Sequence, residues 1–564
     1  MPHTPLLRSL VRLFRDHRTA RAAGLTPAQV RDERAARAVR EPRLTRRGFL
    51  AGSAAVAAGA LIPWKLGCSS EPVGSKGKSR IAVVGAGIAG LSAALRLADA
   101  GVACTIYEAS PETVGGRMLT DAGSAKACGT CHAPKLIRED VPWEHGQVTD
   151  IFGELVDTNH ETLIGLCERF QIPLVDMLGA QPAGSTETYY FNGQHYSKAD
   201  ADRDFAAVFT KLEQDLADFE EESDWDTITP AGKALDSLTM YDWIESRVPG
   251  GHGSAMGALL DVAYVIEYGA DSRDQSALNL IWMLAYSDPA ELQVFGESDE
   301  RFSISGGVNR LPQAIAAHLG ADAIQLGWVL ESLARKSDGS YTLAFMTANG
   351  SRTVEADIVL LALPFHSLKT VDLSQAGFDA RKQKAIAELG AGKNGKMNLQ
   401  FSSRLWAGAG VWGIGNGSSY ADTGYQATWE ATRGVPGTGG ILVHYTGGSV
   451  VDTWSLAHPY GNAADPAVVQ DAQRFLTQIE PVYPGISALW NGKVTASKAH
   501  LSPWLNGSYA FYKPGQYQAF SGYEGVRQGN VFFAGDHCSS DWQGFMEGGA
   551  AEGLRAGADI LESL

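Results

Sequence analysis

The sequence predicts an α/β fold built around a parallel sheet, and three observations between residues 80 and 120 support this prediction. An apolar run bounded by glycine, Ile81–Val84, is typical of a buried parallel strand. A glycine-rich turn and a helical pattern follow it. A second apolar run, Val102–Tyr107, then ends at Glu108. A strand, a helix and a second strand in this order form the unit from which parallel sheets are built.

The turn after the first strand has the form G-x-G-x-x-G. Gly85 permits the tight turn, Gly87 lets the backbone approach a pyrophosphate, and Gly90 lets the helix pack close to the strand. The helix N-terminus offers N–H groups and the positive end of its dipole to phosphates. Glu108 lies 18 residues after Gly90, where a ribose-binding carboxylate is expected. The stretch predicts a dinucleotide cofactor, with contacts from Gly85, Gly87, Ile88, Ala89, Gly90, Glu108 and Ala109.

Charge is distributed unevenly along the 564 residues, whose net charge is −16. Residues 1–47 carry 12 arginines against 4 acidic residues, whereas residues 69–564 carry 34 basic against 59 acidic residues. The acidic body makes nucleic acid an unfavourable partner. It favours cationic substrates such as amines, and solubility is the alternative reading of the same charge.

The N-terminal region contains the pattern of a twin-arginine export signal. Thr45-Arg46-Arg47-Gly48-Phe49-Leu50 is followed by a short, mildly apolar run that ends near Pro63. We expect a periplasmic or extracellular protein of the cell envelope that the twin-arginine machinery exports. An ordinary basic arm is the alternative. Cys68 follows Leu66-Gly67 and is a candidate lipid anchor, with cleavage nearby and no lipid as the second reading.

Two cysteines and a histidine form the pattern Cys128-Gly129-Thr130-Cys131-His132. This is the attachment pattern of c-type haem, and it also suits a disulfide in an oxidising compartment or a plain loop. All three readings stay open. No metal-ligand cluster stands out elsewhere, so we predict no metal site.

Two further glycine motifs carry a family resemblance. Gly115-Gly116-Arg117 follows the acidic residue, and Gly535-Asp536 ends an apolar strand ahead of a helix that begins Gly544-Phe545-Met546. Together with the first turn, they resemble the flavin-containing amine oxidase family, which includes monoamine, polyamine and L-amino acid oxidases. The resemblance covers most of residues 80–564. It implies FAD as the cofactor, with further contacts from Gly115, Gly116, Arg117, Val329, Gly535, Asp536, Gly544, Phe545 and Met546.

The similarity to monoamine oxidases extends to individual positions. Tyr509 and Phe545 fall where two aromatics sandwich the amine, and Lys396 falls where a lysine contacts flavin N5 through water. Ser508 replaces the cysteine that bonds covalently to FAD, so the resemblance implies non-covalent FAD. With Trp504, which opens the same C-terminal stretch, Lys396, Tyr509 and Phe545 are the predicted catalytic residues. The competing readings are plain core aromatics and an exposed lysine at a strand start.

The resemblance also implies the domain organisation. An FAD-binding, Rossmann-like domain of the amine oxidase type is interrupted by an α+β substrate-binding domain. The predicted segments are a twin-arginine signal with a basic extension at 1–68, a linker at 69–79, FAD-binding parts at 80–157, 301–372 and 501–564, and substrate-domain parts at 158–300, mostly helical, and 373–500.

The leading hypothesis is an exported FAD-dependent amine oxidase. It oxidises a primary or secondary amine to an imine and then an aldehyde, with hydride transfer to flavin N5 and reduction of O2 to H2O2. An L-amino acid oxidase is the first rival hypothesis. Members of that kind often hold the substrate carboxylate with an arginine just after a glycine-containing strand, here at Gly153, and Glu154–His160 contains none.

Two more hypotheses stay open. A dehydrogenase that passes electrons to haem or quinone would explain Cys128–His132. A flavoprotein without redox activity would act only as a binding module, but the intact glycines, Lys396 and the two aromatics argue against it.

Overall fold

A computed structural model describes residues 79–121, 143–217, 224–287 and 289–564. The predicted export signal, the candidate lipid anchor Cys68 and the Cys128–His132 motif lie outside these described residues. Residues 80–564 form one compact unit, and the predicted domain limits within them stay predictions.

Thirteen helices in the described residues are labelled in chain order. They are α1 (Ile88–Asp99), α2 (Glu161–Arg169), α3 (Lys198–Leu216), α4 (Pro230–Ser237), α5 (Met240–Arg247), α6 (Ala255–Tyr268), α7 (Ala277–Leu284), α8 (Arg310–Leu319), α9 (Phe365–Leu368), α10 (Ala380–Glu388), α11 (Pro466–Ile479), α12 (Gln516–Phe520) and α13 (Met546–Ser563).

The strands of the described residues are labelled in the same way. They are β1 (Ile81–Val84), β2 (Thr105–Glu108), β3 (Thr120–Asp121), β4 (Thr149–Asp150), β5 (Leu155–Val156), β6 (Leu174–Asp176), β7 (Thr186–Phe191), β8 (Gln194–Tyr196), β9 (Phe302–Ile304), β10 (Ile324–Leu326), β11 (Val329–Arg335), β12 (Tyr341–Thr347), β13 (Gly350–Ala356), β14 (Ile358–Leu361), β15 (Gly390–Ala391), β16 (Asn394–Phe401), β17 (Ala409–Gly410), β18 (Gly413–Ala421), β19 (Ala427–Glu430), β20 (Gly440–Gly447), β21 (Tyr460–Asn462), β22 (Trp490–Lys498), β23 (Ala510–Phe511) and β24 (Val531–Phe533).

The predicted parallel sheet is present, and β1 has the predicted bounds. The strand order is β10-β2-β1-β14-β24, and every neighbouring pair is parallel. Strand β2 begins at Thr105, later than the apolar run suggests. The reason is that Val102 donates its N–H to the carbonyl of Leu97 at 3.0 Å and so belongs to the C-terminal cap of α1.

Both faces of the parallel sheet are buried, which explains why its strands are continuous apolar runs. Ile81 and Val83 face a core that contains Leu91 and Leu95 of α1 together with residues of α13. Ala82 and the other sheet residues that point to the same side face a second core, to which β12 contributes. The α/β prediction with a Rossmann-like sheet is therefore confirmed.

The second large sheet has nine strands and surrounds β16. Its order is β21-β22-β16-β20-β19-β18-β7-β8, with β17 paired to β18. All residues of β16 are buried. Helix α6 packs against β20, β19 and β18, which are neighbouring strands in the middle of this sheet. The nine-stranded sheet and the helices packed on it have the α+β character that the family resemblance implies for the substrate-binding domain.

Helix α13 packs unusually close to α1 because one of its faces lacks side chains. A Cβ on Gly553 would lie 2.2 Å from the carbonyl oxygen of Ala89, and a Cβ on Gly557 would lie 2.9 Å from that of Ala93. Gly549 continues the same face towards Ile88. The four-residue spacing of these glycines keeps them on one side of the helix, so the two backbones can touch.

No helix within the described ranges is long and apolar enough to cross a membrane.

We expect Gly553→Ala to lower the stability of the holoenzyme by about 1–3 kcal/mol, because the new methyl group meets backbone that cannot move aside. Gly165→Ala is the matched control, since Gly165 lies in helix α2 with nothing within 4 Å of its Cβ position. The control variant should be roughly 1 kcal/mol more stable than the unmodified protein, because alanine has a higher helix propensity than glycine. Thermal unfolding of both variants checks the prediction, and a Gly553→Ala protein as stable as the control would contradict it.

Candidate active site

A cavity of about 1400 Å³ lies where the β1–α1 turn, residues 115–119 and the C-terminal residues 535–549 meet. Most of the predicted site residues line it, although they are far apart in sequence. The predicted residues in its wall are Gly87, Ile88, Ala89, Glu108, Ala109, Gly115, Gly116, Arg117, Lys396, Trp504, Tyr509, Gly535, Asp536, Gly544, Phe545 and Met546.

The glycine turn forms a cradle that side chains would fill. Gly85 has a φ of +102°, and a Cβ there would lie 2.7 Å from the carbonyl oxygen of Ala362. A Cβ on Gly90 would lie 2.0 Å from the carbonyl oxygen of Gly85. Gly87 is the N-cap of α1, so no side chain covers the N-terminus of this helix. Gly85 and Gly90 do not line the cavity, but their lack of side chains allows the tight backbone turn that forms its wall. This turn fits the pyrophosphate of a dinucleotide.

Glu108 lies at the C-terminal end of β2, in the cavity wall. Its carboxylate accepts hydrogen bonds from the N–H of Ala86 at 2.7 Å and of Ser110 at 2.8 Å. Burial raises the pKa of Glu108, and these N–H donors oppose the rise. The two bonds fix the carboxylate beside the glycine turn, where the sequence predicts a ribose contact.

A buried ion pair joins the two predicted phosphate-binding segments. The guanidinium of Arg117 forms two hydrogen bonds with the carboxylate of Asp536, one of them 3.0 Å long from Nη1 to Oδ2, and also donates to the carbonyl oxygen of Ser508 at 2.6 Å. Burial alone would raise the pKa of Asp536, but the charge of Arg117 outweighs it and holds that pKa below its usual value. Both side chains thus stay ionised in the cavity wall.

Val329 does not line the cavity. It begins β11 and pairs with Met346 in an antiparallel sheet, with its side chain half-buried. The preceding residue, Trp328, donates its N–H to the carbonyl oxygen of Glu108 at 2.8 Å, so the chain passes close to the end of β2. The predicted contact between Val329 and the adenine stays a prediction.

Lys396 is buried in β16, which excludes the reading of an exposed strand lysine. Its ammonium group forms an ion pair with the carboxylate of Glu154 and donates to the carbonyl oxygen of Phe152 at 3.2 Å. The indole N–H of Trp429 donates to the second oxygen of Glu154 at 3.3 Å. No role for Glu154 was predicted from the sequence. The signal that could have found it is its position directly after Gly153, in the strand that the family resemblance places near the flavin.

Tyr509 and Phe545 are half-buried and face open space, so they are not core aromatics. The hydroxyl of Tyr509 lies 2.7 Å from that of Tyr445, and burial raises the pKa of Tyr509 to about 12. The ring of Phe545 meets the ring of His160 edge-on, with their centroids 5.4 Å apart. Trp504 also lines the cavity and is half-buried.

A second cavity, of about 1060 Å³, shares the walls formed by Tyr445, Tyr509 and Phe545 with the first. We call it the substrate-side cavity. Four acidic residues line it, and none of the described residues in its wall is lysine, arginine or histidine. The four are Glu154, Asp157, Glu267 and Glu300.

The acidic residues of the substrate-side cavity differ in their surroundings. Asp157 lies 3.2 Å from Nε2 of the buried His160 and accepts a hydrogen bond from the N–H of Glu300 at 2.9 Å. Burial, and to a smaller extent the charge of Asp157, raise the pKa of Glu267 to about 7. Neither Glu267 nor Glu300 was predicted, because nothing around them in the chain distinguishes them from surface residues. No group of three or more His, Cys, Asp or Glu side chains in the described ranges is arranged to hold a metal ion.

Comparison with known proteins supports the cofactor and the fold. The profile of the flavin containing amine oxidoreductase family matches residues 88–561. The chain is 23% identical to an L-amino acid dehydrogenase of Synechocystis sp., over 85% of this chain and 94% of that protein. It is also 23% identical to an L-amino-acid oxidase of Siganus canaliculatus, over 86% of this chain and 85% of that one.

Among solved structures, cyclohexylamine oxidase from Brevibacterium oxydans has the same fold. The TM-score is 0.67 at 21% identity, over 86% of this chain and 99% of that one. The family profile spans most of the chain, and the glycine cradle and the Arg117–Asp536 pair fit the family's cofactor, FAD. The protein therefore belongs to the flavin-containing amine oxidoreductase family.

Proposed function

We propose that this protein is an exported FAD-dependent amine oxidase that converts a primary or secondary amine into an imine and, after hydrolysis, an aldehyde. One observation carries the choice of an amine. The substrate-side cavity is lined by four acidic side chains and, among the described residues, by no basic side chain. Such a wall attracts an ammonium ion and repels the carboxylate of an amino acid.

The cofactor cavity has residues for the phosphates and the ribose of FAD. The glycine turn and Arg117 would hold the phosphates, and Glu108 would bind the ribose. Ser508 stands where a covalent link would need cysteine, so the cofactor is held by non-covalent contacts alone. Bound FAD supplies the acceptor for the hydride and then the electrons that reduce O2 to H2O2.

Lys396 has one donor available for the reaction. An ammonium group carries three N–H donors, of which one is directed to Glu154 and one to the carbonyl oxygen of Phe152. The third can hold a water molecule in the cavity that Lys396 lines. Glu154 positions this ammonium group.

Tyr509 and Phe545 orient the amine and exclude water from it. Their side chains form walls of both cavities, so an amine that passes from the substrate-side cavity to the cofactor meets aromatic surface. Removal of water disfavours the charged form of an amine and favours the neutral form, whose lone pair the oxidation needs. The hydrogen bond to Tyr445 holds Tyr509 in place.

An amino acid substrate is the second candidate, since the relatives from Synechocystis and Siganus act on L-amino acids by their names. The Synechocystis relative is named a dehydrogenase, so the electron acceptor of this protein must be tested as well. Both questions can be answered in one experiment.

The test uses the purified holoenzyme without oxygen, with amines and L-amino acids added in turn. We expect amines to bleach the flavin absorption and amino acids to leave it unchanged. Admission of air then restores the colour with release of H2O2. Bleaching by amino acids alone would overturn the amine assignment. Recovery only with an artificial acceptor would overturn the oxidase assignment in favour of a dehydrogenase.

We expect Lys396→Met to lower kcat/KM for the best amine about a hundredfold. The substitution also leaves Glu154 buried and unpaired, which costs about 3–5 kcal/mol of stability. The double variant Lys396→Met with Glu154→Gln separates the two effects, because it removes both charges. It should regain most of the stability and none of the activity. Recovery of activity in the double variant would show that Lys396 acts only through folding.

Export is proposed from the twin-arginine pattern, and Cys68 stays a candidate lipid anchor. We expect the double substitution Arg46→Lys and Arg47→Lys to retain the enzyme in the cytoplasm, because it keeps the charge and removes the paired arginines. Arg43→Lys is the control and should be exported normally. Cell fractionation with an activity assay measures the distribution. Normal export of the double variant would contradict twin-arginine transport.

A further inference from the structure

We propose that Glu547 is a positioning residue for the amine oxidation, and that its carboxylate fixes the ring of Phe545 in the cavity wall by capping helix α2, a distant part of the chain. The inference rests on the proposed function, because Phe545 is one of the two aromatic side chains that would orient the amine. Glu547 itself lines neither cavity, so its effect on the reaction must pass through its neighbours.

Helix α2 begins without a side-chain cap of its own. The side chain of its N-cap residue, His160, accepts no hydrogen bond from the first turn. The first backbone bond within the helix is donated by Ile164 to the carbonyl oxygen of His160 at 3.0 Å. The N–H groups of Thr162 and Leu163, which precede this bond, therefore need partners from elsewhere in the protein.

Glu547 supplies both of these partners. One oxygen of its carboxylate accepts the N–H of Thr162 at 2.9 Å, and the other accepts the N–H of Leu163 at 2.7 Å. The residue is 3% exposed and lies at the end of the helix where the dipole is positive. Hydrogen bonds from backbone N–H groups to a carboxylate are stronger than bonds between neutral groups. The start of α13 is therefore attached to the start of α2 across 384 positions of the chain.

The ring of Phe545 lies on the same helix start, two residues before Glu547. It meets the imidazole of His160 edge-on at 5.4 Å between centroids, and the indole of Trp542 meets the same imidazole at 5.0 Å. His160 is fully buried, and its Nδ1 accepts the N–H of Asp157 at 3.0 Å, which sets the plane of the imidazole. The imidazole therefore gives the ring of Phe545 a fixed support on one side.

The segment that carries Phe545 is rich in glycine. Gly544 precedes it with a φ of +88°, and Gly548 and Gly549 follow Glu547. Glycine restricts the backbone less than any other residue, so the segment needs contacts from outside to hold one conformation. Glu547 is the only charged residue between positions 544 and 549. Its two hydrogen bonds to α2 therefore hold the ring of Phe545 against its support.

A misplaced ring would affect the chemical step more than the binding of the amine. Phe545 lines both cavities, and a tilted ring would still offer apolar surface to the substrate. Transfer of a hydride depends more steeply on alignment, and a displacement of about 1 Å can lower the rate about a hundredfold. Loss of the cap should therefore lower the rate of the reaction and leave the affinity for the amine nearly unchanged.

The first measurement is the rate of flavin reduction by the best amine without oxygen, in the holoenzyme and in Glu547→Gln. Glutamine keeps the shape of the side chain, but its amide offers one acceptor oxygen and turns an NH2 donor towards the second N–H of α2. We expect the limiting rate constant to fall about tenfold or more, while the dissociation constant of the amine changes by less than about twofold. An unchanged limiting rate would overturn the inference.

Asp465→Ala is the matched control for a general loss of stability. Asp465 caps α11 by accepting the N–H of Ala467 at 2.9 Å, and it lines neither cavity. Its removal should lower the unfolding temperature, as the loss of a helix cap does, and leave the limiting rate unchanged. An equal loss of rate in this variant would show that the effect of Glu547→Gln reports stability alone, and would overturn the inference.

The double variant Phe545→Ala with Glu547→Gln tests whether Glu547 acts through the ring. Two residues that act independently give effects that multiply, whereas residues that act through one contact do not. We expect Glu547→Gln to lower the limiting rate by less than about twofold once Phe545 has been truncated. Multiplied effects would contradict a role through Phe545.

A further measurement does not depend on turnover. A para-fluorophenylalanine placed at position 545 gives one fluorine resonance in the NMR spectrum of the holoenzyme, and its shift reports the surroundings of the ring. We expect this resonance to move or broaden in Glu547→Gln and to stay unchanged in Asp465→Ala. An unchanged resonance in both variants would overturn the inference, whether or not amines are oxidised. A shifted resonance in an enzyme that oxidises no amine would overturn the proposed function and leave the placement of the ring by Glu547 standing.

Discussion

The buried pair of Arg117 and Asp536 is the interaction on which the cofactor site depends. The two residues are 419 positions apart, and each belongs to a glycine-containing segment in the cavity wall. A buried ion pair costs desolvation and persists only where hydrogen bonds compensate for it. Here two bonds between guanidinium and carboxylate and a third to the Ser508 carbonyl do so. The pair therefore fixes the distance between the first and the last parts of the site, and the position of Tyr509 follows from it because Tyr509 comes directly after Ser508.

Residues whose roles depend on their chain neighbours could be predicted from the sequence. The glycines at 85 and 90 are required by a turn that lies within six residues, and the continuous apolar run Ile81–Val84 reflects the burial of both faces of one strand. Gly115-Gly116-Arg117 and Gly535-Asp536 are equally local motifs, and they meet in the structure as expected. The start of β2 was misjudged because an apolar residue, Val102, serves the helix cap instead of the strand.

Residues whose roles depend on distant partners could not be predicted. Lys396 tolerates burial because Glu154, 242 positions away, neutralises it. Glu267 and Glu300 resemble ordinary surface glutamates in the chain, and they line one cavity only because the fold brings α6 and the segment before β9 to the same wall. Val329 was assigned by resemblance alone, and the structure leaves it beside the end of β2 and out of the cavity wall. The charged residues that line a cavity therefore depend on which distant segments the fold brings together, and no single segment of the sequence determines them.

The order in which the chain contributes to the parallel sheet has a consequence for biosynthesis. Strand β24 completes one edge of the sheet, and α13 covers α1, so residues 531–563 finish a layer that residues 81–99 begin. The two halves of the cofactor site can meet only after residues 531–563 have been synthesised. Long-range contacts of this kind slow folding, and the unfinished chain exposes apolar strands in the meantime. A cofactor that needs both halves of the site can therefore bind in full only once the chain has been made beyond this second segment.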